Sequence, residues 1–72
     1  MKFQIGDIIT YVDQRKYKVM KIEVVEGIPS YILLRVWAPE SLTEAKPFPI
    51  DCEFVEDKFT LQFQDIVREV LQ

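Results

Sequence analysis

The apolar residues of the segment 16–26 change sides part-way along it, and no other feature of the sequence limits the fold as strongly. Tyr17 and Val19 alternate with lysines, as in a half-buried β-strand, but Met20 and Ile22 continue with the opposite parity. A bulge or a sharp bend in a strand produces such a change. The sequence therefore predicts a strongly curved antiparallel sheet, either curled or closed into a small barrel.

Four more strands are predicted around this bent strand. Apolar residues that alternate with polar ones, or run continuously, favour strands over 8–12, 31–37, 48–54 and 59–63. Turns are expected where glycine, proline or acidic residues cluster, at 13–15, 27–30 and 56–58. The predicted fold class is therefore mostly β, with about five strands.

The end of the chain changes from strand to helical spacing. Apolar residues recur there at helical intervals, at Ile66, Val67, Val70 and Leu71. Asp65 is placed to cap a helix, so we predict a short C-terminal helix over 65–72 that packs on the sheet. The chain 1–72 is expected to form a single domain, because a chain of this length buries only about 60% of its unfolded surface.

The composition excludes several kinds of chemistry. The chain has no histidine and one cysteine, so it lacks the usual base at neutral pH, the commonest metal ligand and a thiolate zinc site. Its glycines, Gly6 and Gly27, do not form a phosphate-binding loop. We expect a protein that is not an enzyme and holds no metal or cofactor, with Cys52 as a buried thiol.

The sequence also bears on location. No stretch has the pattern of a signal peptide or the length of a membrane span. The one cysteine cannot form an internal disulfide. We therefore expect a cytoplasmic protein that does not enter a membrane.

The stretch "FQIGDIITY", residues 3–11, and the "YKVMKIE" that follows at 17–23 resemble the Gly-Asp entry and first hairpin of Tudor-, KOW- and SH3-type barrels. The likeness extends over residues 3–37 and, more weakly, over 48–63. It implies a small SH3-like antiparallel barrel. An aromatic cage of the Tudor type would need several rings that converge, for which the candidates are Tyr11, Tyr17, Tyr31 and Trp37.

The third predicted strand contains the first candidate site. If Ile32, Leu34 and Val36 fill the core, the other face of the strand presents two aromatic rings and a guanidinium outward. These residues are Tyr31, Arg35 and Trp37. Tyr, Arg and Trp are enriched where binding energy concentrates, so we predict a site for a protein or peptide partner here. The alternative is that the loop 38–49 or the C-terminal helix covers them.

A second candidate site is a basic stretch, residues 15–21, with four cations at Arg15, Lys16, Lys18 and Lys21. Clustered cations beside aromatic rings can bind nucleic acid. The competing interpretation is that these lysines are the solvent side of a strand. The net charge of −3 favours the second interpretation, because nucleic-acid-binding domains are usually basic.

Acidic residues form a third group, Asp51, Glu53, Glu56 and Asp57, which is interpreted as the polar side of a turn rather than a catalytic pair. The leading hypothesis is therefore a non-catalytic module that recognises a protein or peptide, as an adaptor or an inhibitory factor. Nucleic-acid binding and a structural subunit that self-associates are the alternatives, and the oligomeric state stays open.

Overall fold

The structure is a computed structural model that describes residues 2–37 and 46–61. Within these residues the chain forms five antiparallel strands in one open sheet and one short helix. In chain order the elements are β1 (Ile8–Tyr11), β2 (Lys16–Val25), β3 (Ile28–Val36), β4 (Phe48–Asp51), α1 (Cys52–Lys58) and β5 (Phe59–Leu61). The mostly β fold of about five strands is confirmed, whereas the helix predicted over 65–72 lies outside the described residues.

The strand order in the sheet is β4-β3-β2-β1-β5. The first three strands form a meander, and each strand pairs with its neighbours in antiparallel fashion. β5 returns to the free side of β1, where Thr60 lies opposite Thr10. β4 and β5 are therefore the two edges of the sheet.

Both hairpin turns of the meander use left-handed backbone conformations. Gln14 has φ 77° between β1 and β2. Glu26 and Gly27 have φ 52° and 81° between β2 and β3, and two successive residues of this kind match the twist of a two-residue hairpin. The predicted bounds of the second turn, 27–30, are therefore wrong, because β3 already begins at Ile28.

The predicted change of phase in β2 is confirmed as a β-bulge. Val19 pairs with Leu33 and Lys21 pairs with Ile32, so Met20 is the extra residue. A bulge bends its strand and increases the local twist. This bend accounts for the reversal of the apolar pattern along β2.

The sheet curls around Tyr17, which lies on the central strand β2. Its ring contacts Phe48 on one edge strand and Phe59 on the other, with ring centroids 5.9 Å and 5.7 Å away. Neighbouring strands lie about 4.8 Å apart, so each edge of a flat sheet would be about 10 Å from β2. The curl brings both edges toward one face of the sheet, which we call the inner face.

The inner face encloses the core. Its most completely buried side chains come from the N-terminal segment, β1, β2, β3 and α1, and are Phe3, Ile9, Val19, Tyr31, Leu33 and Val55. The prediction that Ile32, Leu34 and Val36 fill the core is wrong, since all three are only partly buried. They lie on the outer face, in register with the lysines of β2. Because both faces of β3 are apolar, alternation alone could not identify the inner one.

The strand predicted over 48–54 is also wrong beyond its fourth residue. Asp51 caps α1: its side chain accepts a hydrogen bond of 2.7 Å from the backbone N–H of Glu53, which favours helix initiation. Cys52 and Val55, three residues apart, are the buried residues of this helix. α1 thereby replaces the predicted turn and connects the two edge strands. No helix in the described part of the chain has the length and apolar character needed to cross a bilayer.

Candidate functional site

Five aromatic side chains surround an open cavity of about 180 Å³ at one end of the inner face. Four of them come from the strands β1, β2, β4 and β5, and one comes from the helix α1. They are Tyr11, Tyr17, Phe48, Phe59 and, on α1, Phe54. Ile50 and Arg15 complete the lining. We call this the aromatic cavity. Its wall is apolar apart from the guanidinium of Arg15 and the tyrosine hydroxyls.

Ring contacts hold the wall of the aromatic cavity in place. Tyr11 packs against Phe59 with ring centroids 4.9 Å apart and stacks on Phe54 at 6.1 Å. Tyr17 meets Phe48 and Phe59 edge-on. Offset and edge-on pairs of this kind add stability beyond the apolar area that they bury. Phe54 is nevertheless 41% exposed, so the cavity has one aromatic wall that is open to solvent.

A second cavity, of about 220 Å³, lies at the adjoining ends of β2 and β3. Three cations and one carboxylate line it together with three further residues: Asp13, Gln14, Arg15, Lys16, Arg35, Val36 and Trp37. We call this the basic cavity. It is a local positive region on a chain whose net charge is −3.

Arg35 and Trp37 dominate one side of the basic cavity. Nε of Arg35 is enclosed by protein and has no hydrogen-bond partner among the described residues. Trp37 is 68% exposed and has φ 54°, a left-handed conformation that costs a bulky residue about 1–2 kcal/mol. An unpaired donor and a strained, exposed ring are features that proteins tend to keep at binding sites.

The opposite side of the basic cavity is formed by the turn between β1 and β2. Nε of Arg15 pairs with the carboxylate of Asp13. This contact raises the pKa of Arg15, while the backbone N–H of Arg15, above all, lowers the pKa of Asp13. Lys16 donates from Nζ to Oγ1 of Thr10 over 3.3 Å. Arg15 is thus partly neutralised, and Lys16 and Arg35 supply the remaining positive charge.

The aromatic and basic cavities adjoin. Tyr17, which lines the first, lies directly opposite Arg35, which lines the second, in the ladder of β2 and β3. Arg15 contributes to both linings. Cβ atoms of directly opposed residues are about 5 Å apart, so a single ligand can reach both cavities.

The structure separates the three residues predicted as a partner-binding face. Arg35 and Trp37 line the basic cavity, but Tyr31 is fully buried in the core. Its hydroxyl accepts a hydrogen bond of 3.1 Å from the backbone N–H of Phe3 and donates one of 2.6 Å to Glu56. The expectation that Tyr31 faces outward is therefore wrong, because the bulge and the curl turn its side of β3 inward.

The structure also divides the predicted basic stretch. Arg15 and Lys16 line the basic cavity. Lys18 and Lys21 are exposed and lie opposite Leu34 and Ile32 on the outer face, where they line neither cavity. The four cations therefore do not form one continuous surface with Trp37.

Two members of the acidic group have structural roles. Asp51 caps α1, and Glu56 joins α1 to Tyr31 and to the backbone N–H of Lys2. Cys52, beside them, is a buried free thiol as predicted; burial is the main cause that raises its pKa. Among residues 2–37 and 46–61, no three His, Cys, Asp or Glu side chains lie close enough to hold a metal ion.

The sequence predicts only part of the aromatic cavity. Of the four cage candidates, Tyr11 and Tyr17 converge, while Tyr31 and Trp37 do not line the cavity. The sequence does not point to Phe48, Phe54 and Phe59, because their convergence depends on α1 and on the curl of the sheet. One local signal could have revealed two of these three residues: Asp51 can cap a helix, and Phe54 and Phe59 then lie on that helix and directly after it.

No protein-family model, no curated protein and no solved structure matches the chain. The geometry of the two adjoining cavities is therefore the basis on which a function can be assigned.

Proposed function

We propose that this chain is a non-catalytic module that binds an extended segment of a partner protein by seating one bulky apolar side chain in the aromatic cavity. The single observation that supports this function is the convergence of five aromatic rings from five different elements around an open cavity. Aromatic-lined pockets that take up an anchor side chain are typical centres of binding energy in protein interfaces.

The size of the aromatic cavity favours a side chain over a small-molecule ligand. Its volume of about 180 Å³ is below the range of about 300–1,000 Å³ that is usual for drug-sized ligands and cofactors. The wall is mostly apolar, so the occupant should be apolar too. A leucine, proline or phenylalanine side chain has the right character, with the peptide backbone lying across the rim.

The exposure of Phe54 also supports ligand binding in the aromatic cavity. Phe54 is 41% exposed on α1, although Cys52 and Val55 of the same helix already provide its contacts with the core. The ring of Phe54 stacks on Tyr11 and leaves the rest of its surface available to a ligand. A clustered apolar surface with a polar rim is a common mark of a binding site.

We also propose that the curled sheet belongs to the SH3-like group of small barrels. The bent strand β2, the curl around Tyr17 and the order in which β5 lies next to β1 support this assignment. Peptide binding at the end of such a sheet requires no catalytic residue.

A peptide-display screen tests the function. The protein is immobilised and probed with random 12-residue peptides, and the recovered peptides are then measured against the variants Phe54→Ala and Val24→Ala. Val24 is 67% exposed and lines neither cavity, so it is the matched control for loss of an exposed apolar side chain. Urea unfolding of all three proteins shows whether the fold is kept.

We expect recovered peptides to share one bulky apolar residue. Phe54→Ala should weaken their binding at least about tenfold, which corresponds to about 1.4 kcal/mol, while Val24→Ala should leave it unchanged. The function is wrong if no sequence is enriched, or if both variants bind the recovered peptides as the unmodified protein does.

A further inference from the structure

We infer that the basic cavity binds the carboxylate of an acidic side chain that lies two residues from the apolar anchor on the same extended peptide. This inference rests on the proposed function and specifies the chemistry of the partner. Arg35 and Lys16 would hold the carboxylate, and Trp37 would cover the peptide backbone between the two cavities.

The spacing follows from the sheet. Tyr17 and Arg35 are directly opposed on β2 and β3, and Arg15 lines both cavities, so the two binding points are neighbours. In an extended peptide, side chains two residues apart point to the same side and lie about 7 Å apart. An adjacent residue would point away from the protein.

The guanidinium of Arg35 identifies the kind of group that the basic cavity would hold. Arg35 lines this cavity, and because its Nε is enclosed by protein, a ligand would meet the other two guanidinium nitrogens. A guanidinium matches a carboxylate with two parallel hydrogen bonds. Lys16 uses one donor on Thr10 and retains two more.

The lining of the basic cavity carries a local excess of positive charge that an acidic side chain can neutralise. The chain as a whole carries −3, so it repels anions at long range and can select one only through local contacts. Three cations against one carboxylate in the lining provide such contacts. The pairing of Asp13 with Arg15 leaves Arg35 and Lys16 as the principal ligands.

Nucleic acid fits the same cavity less well. Binding of single strands uses a series of exposed aromatic rings along a basic groove. Here Trp37 is an exposed ring, but Lys18 and Lys21 lie on the outer face and do not extend the basic cavity. The neighbouring aromatic cavity has a size suited to a side chain rather than a base stack.

Matched synthetic peptides test this inference. Each is an acetylated and amidated nonapeptide of glycine and serine with one central phenylalanine or leucine. One series has glutamate two positions before or after the centre, a second has glutamine there, and a third has glutamate at the adjacent position. Dissociation constants are measured by amide NMR titration at physiological salt, and an eight-residue oligouridylate is titrated in parallel.

We expect the peptide with glutamate two positions away, on one side of the anchor, to bind at least about tenfold more tightly than its glutamine counterpart, as charge-assisted pairs typically do. Arg35→Gln should abolish this preference, so that the glutamate and glutamine peptides bind this variant equally. Lys21→Gln removes the same charge at an exposed position outside the cavity, so it should preserve the preference.

Three outcomes overturn the inference. Equal binding of glutamate and glutamine peptides rejects the carboxylate site but leaves the proposed function intact. Binding of none of the peptides, even at millimolar concentration, rejects both. Salt-sensitive binding of oligouridylate at Arg35 and Trp37, tighter than that of any peptide, identifies the cavity as a nucleic-acid site instead.

Discussion

The hydroxyl of Tyr31 on β3 donates a hydrogen bond of 2.6 Å to Oε2 of Glu56 on α1. The same hydroxyl accepts a bond from the backbone N–H of Phe3, and Oε2 of Glu56 accepts another from the backbone N–H of Lys2. These bonds connect the N-terminal segment, the sheet and the helix through one buried side chain. Burial and the bond to Glu56 raise the pKa of Tyr31 to about 12.

Tyr31→Phe should destabilise the fold by about 1–3 kcal/mol, because it leaves the buried N–H of Phe3 without its acceptor. In a chain of this size that is a large part of the total stability. Urea unfolding measures the change. The control is Tyr11→Phe, since Tyr11 shows ring contacts, and it should shift the midpoint much less. Equal losses in both variants would contradict the role of the Tyr31 hydroxyl.

The lowered pKa of Glu56 implies that the stability of the fold depends on pH. The backbone N–H of Lys2 and then the hydroxyl of Tyr31 lower the pKa of Glu56 below its ordinary value of 4.5. The charged form of Glu56 is therefore favoured in the folded state. Its contribution to the stability of the fold is complete above about pH 4.5, and it is lost as the pH falls through the pKa of the folded state. Melting temperatures between pH 3 and 7 should fall less in Glu56→Gln than in the unmodified protein. Parallel profiles would contradict the prediction.

The strands β1, β2 and β3 could be predicted from sequence because their apolar residues alternate with polar ones or run continuously, and because the bulge at Met20 leaves a visible change of parity. The helix α1 could not. Phe48, Ile50, Cys52 and Phe54 alternate without interruption across Asp51, so the period-two pattern concealed the helix cap. The sequence fits both a strand that continues to Phe54 and a helix that begins after Asp51. The Asp51 cap and the burial of Val55 stabilise the helix.

The candidate site was predictable only in part, for a related reason. Arg35 and Trp37 stood out by residue type, and both line the basic cavity. The inner face of β3 is set by the bulge and the curl, which sequence spacing does not reveal, so the outward orientation predicted for Tyr31 is wrong. The aromatic cavity is formed by residues of β1, β2, β4, α1 and β5, and contacts between elements so far apart in sequence are fixed by the tertiary fold alone.

The turn between β2 and β3 offers a stabilising substitution. Glu26 has φ 52°, in a region where asparagine is accommodated more readily than glutamate. Glu26→Asn should raise the free energy of unfolding by about 0.5–1 kcal/mol, measured from urea midpoints. Glu23→Asn is the matched control, since it makes the same change of charge within β2 and should not stabilise. A gain in both variants would point to charge rather than to the turn.

Cys52 provides a probe of local opening. It is 7% exposed, and burial, followed by the nearby carboxylates of Glu56 and Asp51, raises the pKa of its thiol. Thiolate is the reactive form, so a disulfide reagent at pH 8 should modify the folded protein far more slowly than the urea-unfolded protein. Similar rates in the two states would show that α1 does not protect this residue.

Trp37 gives a direct optical test of the basic cavity, because it is the single tryptophan of the chain. It is 68% exposed, so its emission should resemble that of tryptophan in water, with ready quenching by acrylamide. Iodide should quench it more strongly than caesium, since Arg35 and Lys16 line the same cavity and concentrate anions there. Arg35→Gln should reduce quenching by iodide and leave quenching by acrylamide unchanged. A blue-shifted emission that resists all quenchers would contradict the exposed position of Trp37, and equal quenching by both ions would contradict the local positive charge on which the proposed carboxylate site depends.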